Sequence, residues 1–280
     1  MTTRSTRRAR RYLAGAASAA VLFAAVQVPQ SVASAARTSH PKPTIVLVHG
    51  AWADGSSWHG VAERLQDRGY AVLVPPNPLR GPTAGGDSAY LASFLGSVSG
   101  PVVLVGHSYG GIVISNAANG NANVKALVFV DAFVPQDKQP LGALTTTSCL
   151  NVDTSKSFRP VPFAGGVDLY VQRAANPPYA GFDACFANGI AKDEAAVLAA
   201  GQRPLSAAAL GDPSGPPAWM TIPSWALIGT QDRVIPPEQQ ITTARMAHIH
   251  IDTFGAGHLG LISQPDAVVR TILKAVDATD

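Results

Sequence analysis

Apolar residues along the chain fall into short unbroken runs that are separated by polar, glycine-containing segments. The clearest runs lie at 44–48, 70–74, 101–105, 125–130 and 224–228. These runs are short and rich in β-branched residues, which predicts strands buried on both faces. Because helix-compatible stretches separate them, the pattern predicts a mostly parallel sheet with helices on both faces.

The longer mixed segments between these runs predict the helices. They lie near 58–68, 88–98, 112–118, 237–246 and 265–276. Gly69 follows the first of them, as expected for a residue that ends a helix. A last strand is predicted at 248–254.

The alternation of strands and helices stops after Pro135. The segment 136–222 contains both cysteines, several prolines and two Ala/Leu-rich stretches, at 193–200 and 204–210. Sheet-like apolar runs are scarce in it. We therefore predict an inserted, mainly helical cap over the carboxyl edge of the sheet. The sheet-containing core then consists of two ranges, 37–135 and 223–280.

The first 36 residues have a different character. Residues 1–12 contain five arginines and no acidic residue. An apolar run, Leu13 to Val28, and a small-residue site at Ala33-Ser34-Ala35 complete the pattern of a secretory signal peptide at 1–36. The run is shorter than the roughly 20 residues of a membrane-spanning helix, although a retained anchor is the alternative. Paired arginines leave both the general secretory and the twin-arginine route open.

Removal of the signal peptide changes the charge of the protein. The whole chain has 21 basic and 18 acidic residues, a net charge of +3. Without residues 1–36 it has 16 basic and 18 acidic residues, a net charge of −2. The positive charge therefore belongs to the export signal, and we expect neither nucleic-acid binding nor stable membrane insertion of the mature protein.

The two cysteines of the chain, Cys149 and Cys185, both lie in the predicted cap. In an exported protein such a pair favours a disulfide over free thiols, which are the alternative. No histidine or further cysteine lies at ligand spacing from them, so a zinc site is not expected.

The residues with the clearest chemical meaning are V-G-H-S-Y-G-G at 105–111. Gly106 and Gly110 flank Ser108 in a G-x-S-x-G pattern between a predicted strand and a predicted helix. Such a nucleophile elbow needs small neighbours, because its strained turn lifts the serine hydroxyl above the end of the sheet. A buried turn without chemistry is the alternative. The glycine spacing does not fit a dinucleotide-binding loop.

Two further candidates each follow the carboxyl end of a predicted strand, Asp232 and His258. In a parallel sheet these ends lie at the same edge as Ser108. The order Ser, Asp, His is the one expected after a nucleophile elbow. His258 would act as general base and Asp232 would orient it. Asp131 is the main alternative acid, because it also ends a strand.

An oxyanion would need two backbone N–H donors near Ser108. We assign them to Tyr109, which follows the nucleophile, and to Ala51 in the loop after the first strand. Trp52 and Tyr109 are also candidates for the substrate pocket, with loop packing as the alternative. The nearby histidines are assigned packing or surface positions: His107, His248 and His250.

These motifs resemble those of the α/β-hydrolase superfamily. The matching stretches are I-V-L-V-H-G-A-W at 45–52, V-G-H-S-Y-G-G at 105–111, G-T-Q-D-R-V-I-P at 229–236 and G-A-G-H at 255–258. The chain is most similar to compact esterases of the methylesterase, salicylate-esterase and hydroxynitrile-lyase type and to their bacterial relatives. The resemblance implies the α/β-hydrolase fold.

The resemblance also implies an activity. We expect a secreted serine esterase that cleaves small to medium apolar esters through an acyl-enzyme, with no metal and no organic cofactor. One alternative is a lyase, for which Lys138, Lys156 and Lys192 are candidate cap lysines. The others are a cofactor-free perhydrolase or haloperoxidase, and a ligand sensor that retains the triad.

Overall fold

The computed structural model describes residues 41–79, 86–173 and 181–279 of the chain. The predicted signal peptide at 1–36 lies outside the described residues. Within the described ranges, no helix is both long enough and apolar enough to span a membrane.

A six-stranded parallel sheet forms the centre of the protein, in the order β2-β1-β3-β4-β8-β9. The strands of the described residues are β1 (Thr44–Val48), β2 (Val72–Leu73), β3 (Val102–His107), β4 (Val124–Val130), β5 (Phe158–Phe163), β6 (Gly166–Val171), β7 (Leu205–Ser206), β8 (Ser224–Gly229) and β9 (His250–Phe254). All six residues of β3 are buried, which requires cover on both faces of the sheet.

Helices provide this cover. Those of the described residues are α1 (His59–Gln66), α2 (Asp87–Gly96), α3 (Gly110–Ala117), α4 (Leu141–Leu144), α5 (Thr154–Ser157), α6 (Lys192–Gly201), α7 (Pro237–Met246), α8 (Gly260–Ser263) and α9 (Pro265–Asp277). α1 packs on α9 and α2 packs on α3, while α9 and α3 contact the central strands. The predicted α/β architecture is therefore confirmed.

The element boundaries agree closely with the sequence pattern in the core. β1 and α7 have the predicted bounds. β2 is shorter than predicted: within the described residues it is an edge strand that pairs with β1 through two residue pairs.

The segment 136–222 contains a feature that the sequence pattern does not predict. Strands β5, β6 and β7 form a separate antiparallel sheet. Strand β5 reads F-R-P-V-P-F and is largely exposed. Proline lacks a backbone N–H and is tolerated on an edge strand, which is where β5 lies. Helical turns still make up most of the regular structure in the described part of this segment.

A disulfide joins Cys149 to Cys185, as predicted, with the two Cα atoms 6.0 Å apart. It connects the short helical turn Cys149–Asn151 to the π-helix Phe182–Phe186. The backbone N–H of Cys149 also donates to the carbonyl of Arg233, at 3.0 Å. The disulfide therefore joins two cap segments close to the loop that follows β8.

Candidate active site

Ser108 lies directly after β3 and has a φ angle of +54°. That left-handed conformation is strained for a residue with a side chain. Backbone hydrogen bonds hold it in place. The Ser108 N–H donates to Val130 at 3.3 Å, and the Ser108 carbonyl accepts from Gly111 at 2.9 Å and from Phe133 at 3.2 Å. The turn is therefore fixed both to α3 and to the residues after β4.

The glycines on either side of Ser108 are required by close backbone contacts. A Cβ atom at Gly106 would lie 2.6 Å from the carbonyl oxygen of Gly110. A Cβ atom at Gly110 would lie 2.6 Å from the carbonyl oxygen of Val48. The G-x-S-x-G spacing thus reflects the crowding of the turn against β1.

Ser108, His258 and Asp232 form a continuous hydrogen-bonded chain. His258 Nε2 lies 2.9 Å from Ser108 Oγ, and His258 Nδ1 lies 2.9 Å from Asp232 Oδ2. All three residues are buried. Because a carboxylate only accepts hydrogen bonds, we assign the proton to Nδ1. Nε2 is then free to accept the serine proton, which is the state that a general base needs.

The carboxylate of Asp232 is held by three further hydrogen bonds. Oδ1 accepts from the backbone N–H groups of Val234 at 2.8 Å and Ile235 at 3.0 Å. Oδ2 accepts from the side-chain amide of Gln240 at 2.9 Å. Sequence reasoning missed Gln240, because only the packing of α7 brings this residue beside the carboxylate.

Asp131, the alternative acid, occupies a different position. In the described residues no hydrogen bond joins it to His258; its Oδ1 accepts instead from the N–H of Gly229 at 2.6 Å. Burial, together with the nearby charge of Asp232, raises the pKa of the Asp131 carboxyl well above its usual value. The geometry therefore favours Asp232 as the partner of His258.

His107 is buried and packs against His258, in agreement with the packing position predicted for it. Its Nε2 donates to the carbonyl of His258 at 2.9 Å, and the two rings are 4.9 Å apart. Burial, and then the proximity of His258, lower the pKa of His107 well below its usual value. His248 and His250 are exposed, and the ring of His250 stacks on Trp225.

The loop after β1 is fixed by a histidine and an asparagine. His49 Nε2 accepts from the N–H of Asn77 at 3.0 Å, and the side chain of Asn77 donates to the His49 carbonyl at 3.0 Å. Burial lowers the pKa of His49, so the neutral ring is favoured. This pair positions Ala51 beside the elbow, and sequence reasoning missed Asn77 because no local pattern marks it.

A cavity of about 500 Å³ opens onto Ser108. Among the residues that the structure describes, most of the lining side chains are apolar and none is charged. The described lining residues are Ala51, Trp52, Ser108, Tyr109, Phe133, Leu141, Thr145, Ser148, Leu150, Asn151, Thr154, Ser155, Phe158, Pro160, Leu169, Leu205, Leu210 and Val234. Most of them come from the 136–222 segment, so this segment forms most of the cavity wall.

The aromatic pocket candidates, Trp52 and Tyr109, both border this cavity. The indole N–H of Trp52 donates to the carbonyl of Leu169 at 2.8 Å, which joins the loop after β1 to the cap strand β6. The Tyr109 hydroxyl donates to Asp87 at 2.7 Å, in the first turn of α2. The Tyr109 side chain therefore also has a packing role.

The three cap lysines do not contribute to the cavity wall in the described residues. Lys138, Lys156 and Lys192 are exposed, and Lys156 pairs with Asp153 at 3.4 Å. None of the three lines the cavity. The cap lysine that a hydroxynitrile-lyase mechanism would require is therefore not among these candidates.

The comparison with known proteins covers nearly the whole described chain. Residues 45–271 match the model of the alpha/beta hydrolase family. The chain is 39% identical over 110 residues to the carbendazim hydrolyzing esterase of Nocardioides sp. strain SG-4G. That match covers 35% of this chain and only 46% of the esterase.

Two longer matches are to proteins that are also called alpha/beta hydrolases. The alpha/beta hydrolase nvfD of Aspergillus novofumigatus is 29% identical over 84% of this chain and 96% of its own length. An extracellular alpha/beta-hydrolase from a Paenibacillus species, described as homologous to tobacco salicylic acid binding protein 2, is 22% identical. Its structure matches with a TM-score of 0.65 over 83% of this chain and 98% of that one. These matches confirm the resemblance that the sequence motifs indicate.

Proposed function

Since the chain belongs to the alpha/beta hydrolase family, we propose that it is a secreted serine esterase that acts through an acyl-enzyme. The observation that carries this proposal is the Ser108–His258–Asp232 chain, with two hydrogen bonds of 2.9 Å and the serine at the cavity. The names of its relatives, which include an esterase, support ester hydrolysis.

The first half-reaction transfers the acyl group to the enzyme. Ser108 Oγ attacks the ester carbonyl carbon while His258 Nε2 takes the hydroxyl proton. The carbonyl C–O π bond opens to give an oxyanion. When this intermediate collapses, the bond to the alcohol oxygen breaks and His258 returns the proton to the departing alcohol. Asp232 stabilises the imidazolium while it carries that proton.

The second half-reaction returns the enzyme to its starting state. His258 removes a proton from a water molecule as that water attacks the acyl-serine carbonyl. The bond to Ser108 Oγ then breaks, and His258 returns the proton to the serine. The product acid is released. No metal or organic cofactor takes part in this proposed sequence of steps.

Stabilisation of the oxyanion is assigned to the backbone N–H groups of Ala51 and Tyr109. Both residues border the cavity beside Ser108. Tyr109 immediately precedes α3, so its N–H lies at the positive end of that helix. Loss of one such donor typically raises the barrier by about 2.7–4 kcal/mol.

The cavity supports a neutral, small to medium apolar ester as substrate. Its volume of about 500 Å³ suits a ligand of that size. None of its described lining residues is charged. A charged substrate would lose its hydration there without gaining an ionic partner, which is costly. A neutral ester avoids that cost.

Secretion is supported by two independent features. The amino-terminal sequence has the pattern of a signal peptide. The Cys149–Cys185 disulfide suits an oxidising compartment. We therefore place the mature enzyme outside the cytoplasm.

The direct test is the hydrolysis of p-nitrophenyl butyrate by the purified protein and its Ser108→Ala variant. We expect kcat to fall by about 10⁴- to 10⁶-fold, because the nucleophile is lost. Ser97→Ala, an exposed serine after α2, is the matched control and should retain full activity. Turnover by Ser108→Ala at the rate of the control would contradict the proposed function.

A further inference from the structure

The last residue of β4 and the residues that follow it lie against the backbone of Ser108. The carbonyl of Val130 accepts from the Ser108 N–H at 3.3 Å, and the N–H of Phe133 donates to the Ser108 carbonyl at 3.2 Å. Asp131 lies between Val130 and Phe133 in the chain. Its own N–H donates to Leu227 of β8 at 3.0 Å. The segment 130–133 thus joins the elbow to the neighbouring strand.

The side chain of Asp131 extends this connection to the other two triad residues. Its Oδ1 accepts from the N–H of Gly229, at 2.6 Å, three residues before Asp232. Its Oδ2 lies beside Gly260, two residues after His258, since a Cβ atom there would come within 2.8 Å of it. One buried carboxyl therefore contacts the end of β8, just before the loop with Asp232, and the start of α8, just after the loop with His258.

The conformation and burial of Asp131 indicate a specific role. Its φ angle is +44°, which is unfavourable for a residue with a side chain. It is fully buried and has no cationic partner in the described residues. A buried acid in such surroundings is held neutral, consistent with its raised pKa. An apolar residue would avoid these costs but could not accept from Gly229.

We propose that Asp131 is a positioning residue, whose carboxyl holds the loops carrying Asp232 and His258 in register with the Ser108 elbow. This inference rests on the proposed function, because it takes the three residues as the working triad. Asp131 itself does not touch the reacting atoms. Its effect is transmitted through the Gly229 backbone and through the packing against Gly260.

The test compares two substitutions in the full-length purified protein. Asp131→Asn retains an acceptor oxygen for Gly229, so kcat should stay within about threefold of the wild-type value. Asp131→Ala removes the acceptor, and kcat and kcat/KM should fall together by about 10- to 100-fold with an unchanged KM. Equal losses in the two parameters indicate a misaligned triad rather than weaker substrate binding.

Ser224→Ala is the matched control for simple loss of stability. Ser224 is buried at the other end of β8 and donates to the carbonyl of Ile222 at 2.9 Å. This substitution weakens the same strand far from the triad. It should lower the thermal midpoint of unfolding without lowering kcat.

A second readout does not depend on ester turnover. The proton on His258 Nδ1, which is bonded to Asp232, gives a downfield proton NMR resonance. Asp131→Asn should retain this resonance and Asp131→Ala should weaken or shift it. If wild-type protein shows the resonance but hydrolyses no ester, the proposed function fails while the positioning role is still tested.

The proposal is overturned if folded Asp131→Ala has the wild-type kcat and an unchanged His258 resonance. It is also overturned if Asp131→Asn loses more than about threefold in kcat, because an amide oxygen can replace the proposed acceptor. Should Asp131→Ala not fold, the asparagine variant decides alone. Retained kcat and resonance then support the proposal, and loss of either contradicts it.

Discussion

The core, which carries the proposed triad, and the cap, which forms most of the cavity wall, hold their residues by different means. In the core, Ser108, Asp232 and His258 all follow strands of the parallel sheet, of which β3 and β8 are fully buried. The backbone hydrogen bonds of these strands fix the starting point of each loop. In the cap, the cavity wall consists of short turns and residues of a small antiparallel sheet, and the Cys149–Cys185 disulfide joins two of the helical turns. Changes at the proposed triad should therefore affect chemistry, whereas changes in the cap should affect stability and substrate choice.

The largest expected effect comes from the core. Asp232→Asn should lower kcat by about 10⁴-fold, because an asparagine favours the wrong histidine tautomer. Asp252→Asn is the control, since Asp252 pairs with Lys274 on the surface of the core and should retain full activity. Steady-state hydrolysis of p-nitrophenyl butyrate measures kcat for both variants. A kcat of Asp232→Asn within tenfold of the wild-type value would contradict the role of Asp232 as the acid of the triad.

The next effect belongs to the cap. The double variant Cys149→Ser/Cys185→Ser should lose about 4 kcal/mol of unfolding free energy in the chain-entropy model, since the disulfide spans 36 residues. Urea denaturation measures this loss. Ser148, Leu150 and Asn151 line the cavity next to Cys149, so kcat/KM for bulky esters should fall more than for p-nitrophenyl acetate. An equal fall in kcat/KM for bulky esters and for p-nitrophenyl acetate would contradict the role of the cap in substrate choice.

A pH effect of intermediate size should come from the core. The pKa of His107 is lowered on folding, so the unfolded chain binds the proton more tightly. His107 therefore stabilises the folded protein at pH values above its unfolded pKa of about 6.5. As the pH falls below that value, the free energy of unfolding decreases by about 1.4 kcal/mol per pH unit. His49 contributes in the same direction. The segment 136–222 contains no histidine, so this sensitivity belongs to the core.

Denaturation between pH 5 and pH 7 tests this origin. His107→Asn should reduce the slope of unfolding free energy against pH by about 1.4 kcal/mol per unit below pH 6.5. His250→Asn, which replaces an exposed histidine, is the control. The raised pKa of Asp131 acts with the opposite sign, because its stability is present at acid pH and lost as the pH rises. Equal slopes in wild type and His107→Asn would contradict the assignment.

The smallest expected effect comes from filling the cavity. Leu210 lines it and is half-buried, so Leu210→Phe should shorten the space available to an acyl chain. We expect kcat/KM for p-nitrophenyl octanoate to fall about tenfold, the loss of roughly two buried methylene groups, while the acetate is unaffected. Val152→Phe, an exposed position in the same cap segment, should change neither substrate. Reduced activity on both esters would show that Leu210 supports the triad instead.

The two regions also differed in how far their structure could be predicted. The position of Ser108 between a strand and a helix could be predicted because its G-x-S-x-G motif is local. Gln240 and Asn77 were not found, because their contacts arise only when separate elements pack. The cap sheet was missed because the prolines of β5 oppose a strand prediction, and its edge position overrides that preference.

The central claim is that Ser108 is an activated nucleophile at the cavity. Its most direct test is the mass of the intact protein after exposure to a fluorophosphonate, followed by peptide mapping. We predict one covalent adduct per chain, located on Ser108, and no adduct in Ser108→Ala under the same conditions. An unmodified wild-type protein, or an adduct on another residue that persists in Ser108→Ala, would contradict it.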